Sequence, residues 1–347
     1  MSSSAVITVG LSSHRLEVLP LARPLMAAAQ AIVLEEAPEA DFGELLTGRR
    51  SAAEYLEDKE VEFPEFSRGQ LEMLVELYRA GKEIVQVEPY LERLIRIHES
   101  LAAGVPREEV EHHPELKDIY AMERLTSRAL LTFYAAAHTA PFPRVVAAVQ
   151  DFARADAQRF RLRDELRAAA LVPLASRYHS LYVEAGHIHL YLLRALRRHL
   201  NGRARLRPVF LLAHRALPAL GRPRSLGPGD LLTLHHIFGS PLAPAREELL
   251  AARSLIYIQL LEKKEMAPGA DPTPHLTDEI QAARLTDRLT LTDCAALYPR
   301  LRALPPPAAV AAVQHYVGQR QEEEGEECPK KPAISQKIDK LQGPDLS

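Results

Sequence analysis

Four short groups of polar residues, far apart in the chain, carry side chains that could do chemistry together. They are Gly10-Leu-Ser-Ser-His14, Glu35-Glu36, Glu88-Pro-Tyr90 and Glu184-Ala-Gly186-His187-Ile-His189. Imidazole and carboxylate are the groups that hold a divalent ion or exchange protons near neutral pH. Mixed nitrogen and oxygen donors suit zinc, manganese or iron alike. A single Glu or His at such a place is more often solvated than functional, because loops begin there. Four groups in corresponding places weigh against that plain reading. Gly10 and Gly186 strengthen two of them, since glycine allows a tight turn, or the close approach of a ligand, beside His14 and His187.

Groups so distant can meet only if the segments before them converge. Each follows a short apolar run: Ala5–Val9, Ala31–Leu34, Glu83–Val87 and Ser180–Val183, with Pro208–Leu212 as a fifth candidate. The runs are too short for helices, and the first three lack polar alternation, which marks strands buried on both faces. Helical patterns lie between them at Leu16–Ala29, Arg68–Ala80 and Ile188–Leu200. The alternation predicts an α/β fold, a small and mostly parallel sheet with crossover helices. The polar groups then all fall at the carboxyl ends of the strands, where open α/β sheets form their ligand crevice.

Residues 91–177 contain no strand candidate and read as a large helical insertion, broken near Pro141 and Pro143. From about Leu242 the pattern is helical again. Residues 1–318 are expected to form one domain. Gln319–Ser347, charged and without apolar periodicity, reads as a disordered tail.

Together the groups resemble the superfamily of erythromycin esterase, ChaN, TraB and Tiki proteins. The resemblance rests on Gly10 followed by His14, on Val33-Leu-Glu35-Glu36, on Arg161-Leu-Arg163-Asp164 in a helical stretch, and on Gly186-His187 after a later strand. It covers roughly Ala5–Leu200. By spacing alone, Asp164 and Arg167, three apart, read as a surface ion pair. The resemblance instead implies that Arg163 enters the crevice, where it would hold an anion or keep the acidic pair ionised. It also implies a metal-dependent hydrolase of ester or peptide bonds acting on a small molecule or peptide. His14, His187 and Glu35 or Glu36 would bind one divalent ion, Glu88 would act as general base, and Arg163 and Asp164 would assist. A ChaN-like member would instead bind haem without catalysis, through a histidine or through Tyr90, Tyr178 or Tyr182. An inactive interaction protein of the same fold is the third reading.

The remaining features exclude or stay silent. A net charge of -3 gives no global basic field, so no nucleic-acid partner is expected, and Arg194, Arg197, Arg198 and Arg203 read as a solvated helix face. Cys294 and Cys328 cannot build a disulfide framework or zinc knuckle. No signal-peptide pattern and no apolar run of about 18 residues is seen, so a cytoplasmic, membrane-free setting is expected. His112-His113 reads as loop, and His235-His236, adjacent on a helix, face about 100° apart. No P-loop, GxGxxG, GxSxG or HExxH pattern is present.

Overall fold

The computed structural model describes residues 5–57 and 59–326. The first part runs β1 (Ala5–Ser12), a 3-10 turn (Leu16–Val18), α1 (Leu19–Ala28), β2 (Ala31–Leu34), α2 (Phe42–Leu46), α3 (Ala52–Leu56), α4 (Pro64–Arg79) and β3 (Glu83–Gln86). The insertion holds α5 (Pro89–Ala102), α6 (Arg107–His112), α7 (Lys117–Thr139) and α8 (Phe142–Arg177). Then come β4 (Ser180–Gly186), α9 (Leu190–Leu200), β5 (Ala204–Phe210), α10 (Ala213–Leu220) and α11 (Pro228–Phe238). The chain closes with α12 (Pro244–Leu260), α13 (Pro274–Thr286), α14 (Leu291–Leu301) and α15 (Pro306–Glu326).

The strands form one sheet in the order β3-β2-β4-β1-β5, and every pairing is parallel. This is the α/β class that the strand pattern predicts. Helices cover both faces, so all four residues of β2, Ala-Ile-Val-Leu, are buried. On one face Ile7, Val9, Leu11, Val33, Leu181 and Val183 pack with residues of α8, α9 and α11. On the other face Ile32, Leu34, Ile84 and Tyr182 pack with Met26 of α1 and with Leu71, Leu74 and Leu77 of α4. Each such side chain contributes about 1.5–3 kcal/mol when fully withdrawn from water.

The strand ends differ from the sequence expectation in ways that matter. β1 runs on to Ser12 and β4 to Gly186, pairing Gly10 with Glu184 and Ser12 with Gly186. Gly10 and Glu184 therefore lie within strands rather than in turns. Glu184 is nevertheless buried, because it is a ladder position facing the crevice. β5 begins at Ala204, four residues before the candidate, because Arg205 and Arg207 point to solvent on an edge strand and mask its apolar period.

The 36-residue helix α8 is the spine, about 54 Å long at 1.5 Å per residue. Its first turn follows Pro141, where the insertion was expected to break, while Pro173 lies within the helix. Val145, Val146 and Val149 near its start join Leu250, Leu255 and Ile256 of α12, Leu297 of α14 and Val313 of α15 in a separate core. α15 continues to Glu326, so residues 319–326 of the expected disordered tail are helical. The reason is local: Ala309, Val313 and Val317 bury one stripe of the helix, and Arg320 pairs with Asp293. Residues 327–347 of that tail lie outside the described residues. Among the described residues no helix is long and apolar enough to cross a membrane.

Gly10 is required by close approach, not by backbone conformation. A Cβ there would sit 2.5 Å from Cζ of the buried Tyr182 ring. Gly10→Ala should therefore lower the unfolding free energy by about 1–3 kcal/mol, the usual range for overpacking a tight core. Urea denaturation measures this, and Tyr182→Leu in the same chain should recover part of the loss. An unaffected Gly10→Ala protein would show that the strand ends are not packed as described.

Candidate functional site

Glu35, at the end of β2, is the centre of a buried cluster of charges. Its Oε2 accepts from the Gly186 backbone N–H at 2.7 Å, and Arg163 donates to its Oε1 at 3.0 Å. His189 Nε2 lies 2.8 Å from the same Oε1. On its other side the His189 ring meets Asp164 Oδ1 through Nδ1 at 2.5 Å. Asp164 also accepts the Leu192 N–H at 2.8 Å, in the first turn of α9, where a carboxylate complements the helix dipole. Arg163 Nε faces Glu88 Oε2 at 3.3 Å. Arg167, one helical turn further along α8, lies 3.6 Å from Glu35 and 3.7 Å from Glu88. Its Nε donates to the Val87 carbonyl at 3.0 Å.

Glu35, Glu88 and Asp164 are thus matched by Arg163, Arg167 and an imidazolium at His189. Burial alone would raise the Glu35 carboxyl, but the charges of His189 and Arg167 overcome it and hold it well below the usual carboxylate range. Burial would lower His189, yet Glu35 and Asp164 push it up to about 9. Burial raises Glu88 against the pull of Arg163 and Arg167. Glu88 also caps α5, accepting the Tyr90 N–H at 3.3 Å. Its carboxylate is wholly buried and locked between arginines, which places it beneath the open cavity rather than facing it.

Above this cluster lies a cavity of about 270 Å3 lined by His14, Glu35, Glu36, Gln70 and Glu184, with Phe63 and Phe66 on its wall. Glu184 is held at both oxygens, by the Glu35 N–H at 3.3 Å and by Gln70 at 2.5 Å. Glu36 accepts from Gln86 at 2.9 Å, and burial raises its proton affinity. His14 stacks on Phe66 with ring centroids 5.6 Å apart, and its Nε2 is buried without a hydrogen-bond partner.

His187 lines a different and smaller cavity, about 20 Å3, with Ser12, Ser13, Ser225 and Glu279. The turn after β1 separates the two spaces, since Ser12 and Ser13 face one and His14 the other. His187 Nε2 is 3.8 Å from Asp230 Oδ2, and Asp230 raises its pKa against the effect of burial. Burial pushes the neighbouring Glu279 up to about 7.

The structure therefore brings together Glu35, Glu88, Arg163 and Asp164, and sets His14 and Glu36 beside Glu35. It does not gather His14, Glu35, Glu36 and His187 as one ligand set. His187 faces another cavity, and both oxygens of Glu35 are already engaged by protein donors. Among the described residues no three His, Cys, Asp or Glu side chains are grouped to hold a metal ion. Gly10 and Gly186, expected to admit a ligand, admit protein instead: Tyr182 closes on Gly10, and a Cβ on Gly186 would come 3.2 Å from the His189 ring. Asp164 is not in a surface pair; it is 1% exposed and holds His189.

Sequence reasoning missed His189, Arg167 and Gln70 as site residues. Two of them carried a signal. His189 is two residues past His187, and Arg167 is one helical turn from Arg163, on the same face of α8. Gln70 carried none.

No protein-family model matches the chain, and no solved structure matches it. It is 32% identical over 290 residues to an uncharacterised protein of Archaeoglobus fulgidus, across 83% of this chain and 96% of the archaeal one. The chain belongs to the family of that protein.

The His189 imidazolium makes the cluster sensitive to alkali. Its folded pKa of about 9 lies above the ordinary 6.5, so the stability it contributes is fully present below about pH 6.5 and is lost as pH rises through 9. The thermal midpoint should fall between these values. His189→Gln should be less stable at pH 6 and should show a flatter profile across the same window. Parallel profiles for the two proteins would mean that His189 is not charged in the fold.

Proposed function

We propose that the chain is a hydrolase of ester or peptide bonds, acting on a small molecule or peptide in the cavity above Glu35. The observation that carries this reading is the pairing in one cavity of two groups suited to proton transfer. His14 presents a buried ring nitrogen with no protein partner, and Glu36 has a carboxyl whose proton affinity is raised by burial. A neutral His14 would take the proton of an attacking water at Nε2, and a protonated Glu36 would supply one to the leaving group. Glu35, held ionised and immobile by Arg163 and His189, would stabilise positive charge as it develops on His14. Arg163, His189 and Asp164 act as positioning residues. The resemblance to the esterase and Tiki proteins supports the same reading. Carboxylate walls would repel the propionates of a haem, which favours hydrolysis over the haem-binding alternative.

The test is turnover of a panel of nitrophenyl esters and fluorogenic peptides, with metal content measured on the purified protein. His14→Ala and Glu36→Gln should each lower kcat by about 10²–10⁴-fold, the contribution of a positioned proton-transfer group. Their thermal midpoints should stay near that of the unaltered chain. Failure of the unaltered protein to turn over any of these substrates, with or without added divalent metal, would sink the proposal, and so would full activity in His14→Ala.

A further inference from the structure

The walls of the His14 cavity carry one sign of charge. Glu35, Glu36, Glu62 and Glu184 line it, and no lysine or arginine does. Glu35 is balanced from below by Arg163 and His189. The other three have no cation within ion-pair distance among the described residues. Glu184 is met by two neutral donors, the Glu35 N–H and Gln70, and Glu36 by the neutral Gln86. Two cations whose charge reaches these groups are used elsewhere. Lys59, which acts on Glu36, pairs with Glu39; Arg15, which acts on Glu62, lies over the Phe63 ring 3.4 Å from its centre.

The negative charge runs from the mouth of the cavity to its floor, since Glu62 is exposed and Glu184 is 6% exposed. A buried carboxylate with neutral partners alone is costly, and a cation brought by a ligand relieves that cost. Burial raises the Glu36 carboxyl, and the charge of Glu184 adds to the effect. The unpartnered Nε2 of His14 independently marks the same space as one that a ligand completes. Walls of one sign also concentrate ligands of the opposite sign.

The kind of cation follows from what the walls offer. Among the described residues no three donors are grouped for a metal ion. The volume of about 270 Å3 is close to that of small ligand pockets, about 300 Å3 at the lower end. A guanidinium fork takes both oxygens of one carboxylate, but Glu184 is held at both and Glu36 at one. An ammonium is a compact charge and needs no such pair. Phe63 carries Arg15 on one face and Phe66 carries His14, so the rings serve the alkyl stem of a ligand and the carboxylates serve its charge.

We infer that the substrate carries an alkylammonium group, of the kind that ends a lysine side chain, beside its scissile ester or amide bond. Glu62 meets the charge at the mouth, and Glu184 attracts it through the field of a buried carboxylate. An ammonium in the cavity offsets the charge of Glu184 and so eases release of the Glu36 proton to the leaving group. The inference rests on the hydrolase reading for the bond that is broken, and on the charge of the walls for the cation.

Calorimetric titration of the full chain tests it without turnover. The probes are Nα-acetyl-lysine N-methylamide, its neutral norleucine counterpart, and the arginine and glutamate counterparts. The lysine probe should bind about tenfold or more tightly than the norleucine probe, and the glutamate probe should not bind. Glu184→Gln should remove most of that preference, and Glu62→Gln should weaken the lysine probe about two- to fivefold. Glu62 is exposed, so its variant keeps the test valid if Glu184→Gln unfolds. Glu72→Gln, an equal charge change on α4 in the wall of a different cavity, should leave binding unchanged. Equal affinity for the lysine and norleucine probes, tighter binding of the arginine or glutamate probe, or equal loss in Glu72→Gln would each overturn the inference. Turnover of neutral esters without any preference for ammonium would overturn it while leaving the hydrolase reading intact. Selective binding of the lysine probe by a protein that hydrolyses nothing would sink the hydrolase reading and leave the cation site standing.

Discussion

Ionised Glu35 can be buried at the end of β2 only because both of its oxygens are engaged by donors. An unpaired carboxylate withdrawn from water costs several kcal/mol even after relaxation. Here one oxygen takes the Gly186 N–H, and the other takes Arg163 and His189. Each donor brings a condition of its own. His189 must be charged, so Asp164 stands behind it; Arg163 and Arg167 must be balanced, so Glu88 lies between them. Three carboxylates face three cations, and removing any one of them leaves the buried charges unbalanced.

This requirement shapes the architecture. Arg163, Asp164 and Arg167 all come from α8, so that helix must cross the sheet at the carboxyl ends of the strands. A helix of that length then has apolar surface to spare beyond the sheet. Its first turns bury Val145 and Val146 against α12, and its middle, through Leu162 and Leu166, completes the small core of α5 to α7. The insertion is thus a scaffold for the charge cluster and the link between the sheet and the C-terminal helices. A single helix serves three cores because the charges fix one part of it and apolar packing fixes the rest.

The cavity above the cluster inherits its chemistry from what lies below. Since Glu35 and Glu184 are each held at both oxygens, the groups left open to a ligand within it are His14 and Glu36. Burial outweighs the pull of Gln86 and Lys59 and leaves Glu36 more basic than an ordinary carboxyl, while Glu35, one residue away, is far more acidic. Two adjacent glutamates with proton affinities shifted in opposite directions are an arrangement suited to acid–base work, because one keeps its charge while the other exchanges a proton. His187 belongs to a second cluster of titratable groups, with Asp230 and Glu279, across the turn that follows β1.

The sequence by itself determined the α/β class, four of the strands and the location of the polar groups at their carboxyl ends. Short apolar runs are local features, and their burial on both faces is visible as missing alternation in Ala31–Leu34. It also marked Glu35, Arg163 and Asp164. Tertiary structure alone decided what these residues do. Asp164 and Arg167 have the spacing of a surface pair, yet α8 turns both inward, because the strand ends present opposite charges to them. His14 and His187 follow neighbouring strands, but the turn after β1 puts a wall between them, and no local pattern encodes which side of a wall a ring will take. His189, two residues past the histidine that drew attention, holds the place opposite Glu35. Gly10 looked like a turn residue and is a strand residue that makes room for Tyr182, a partner 172 positions away. Side-chain direction at the end of a sheet depends on register and on the helix packed above it, and both are set by contacts between distant parts of the chain.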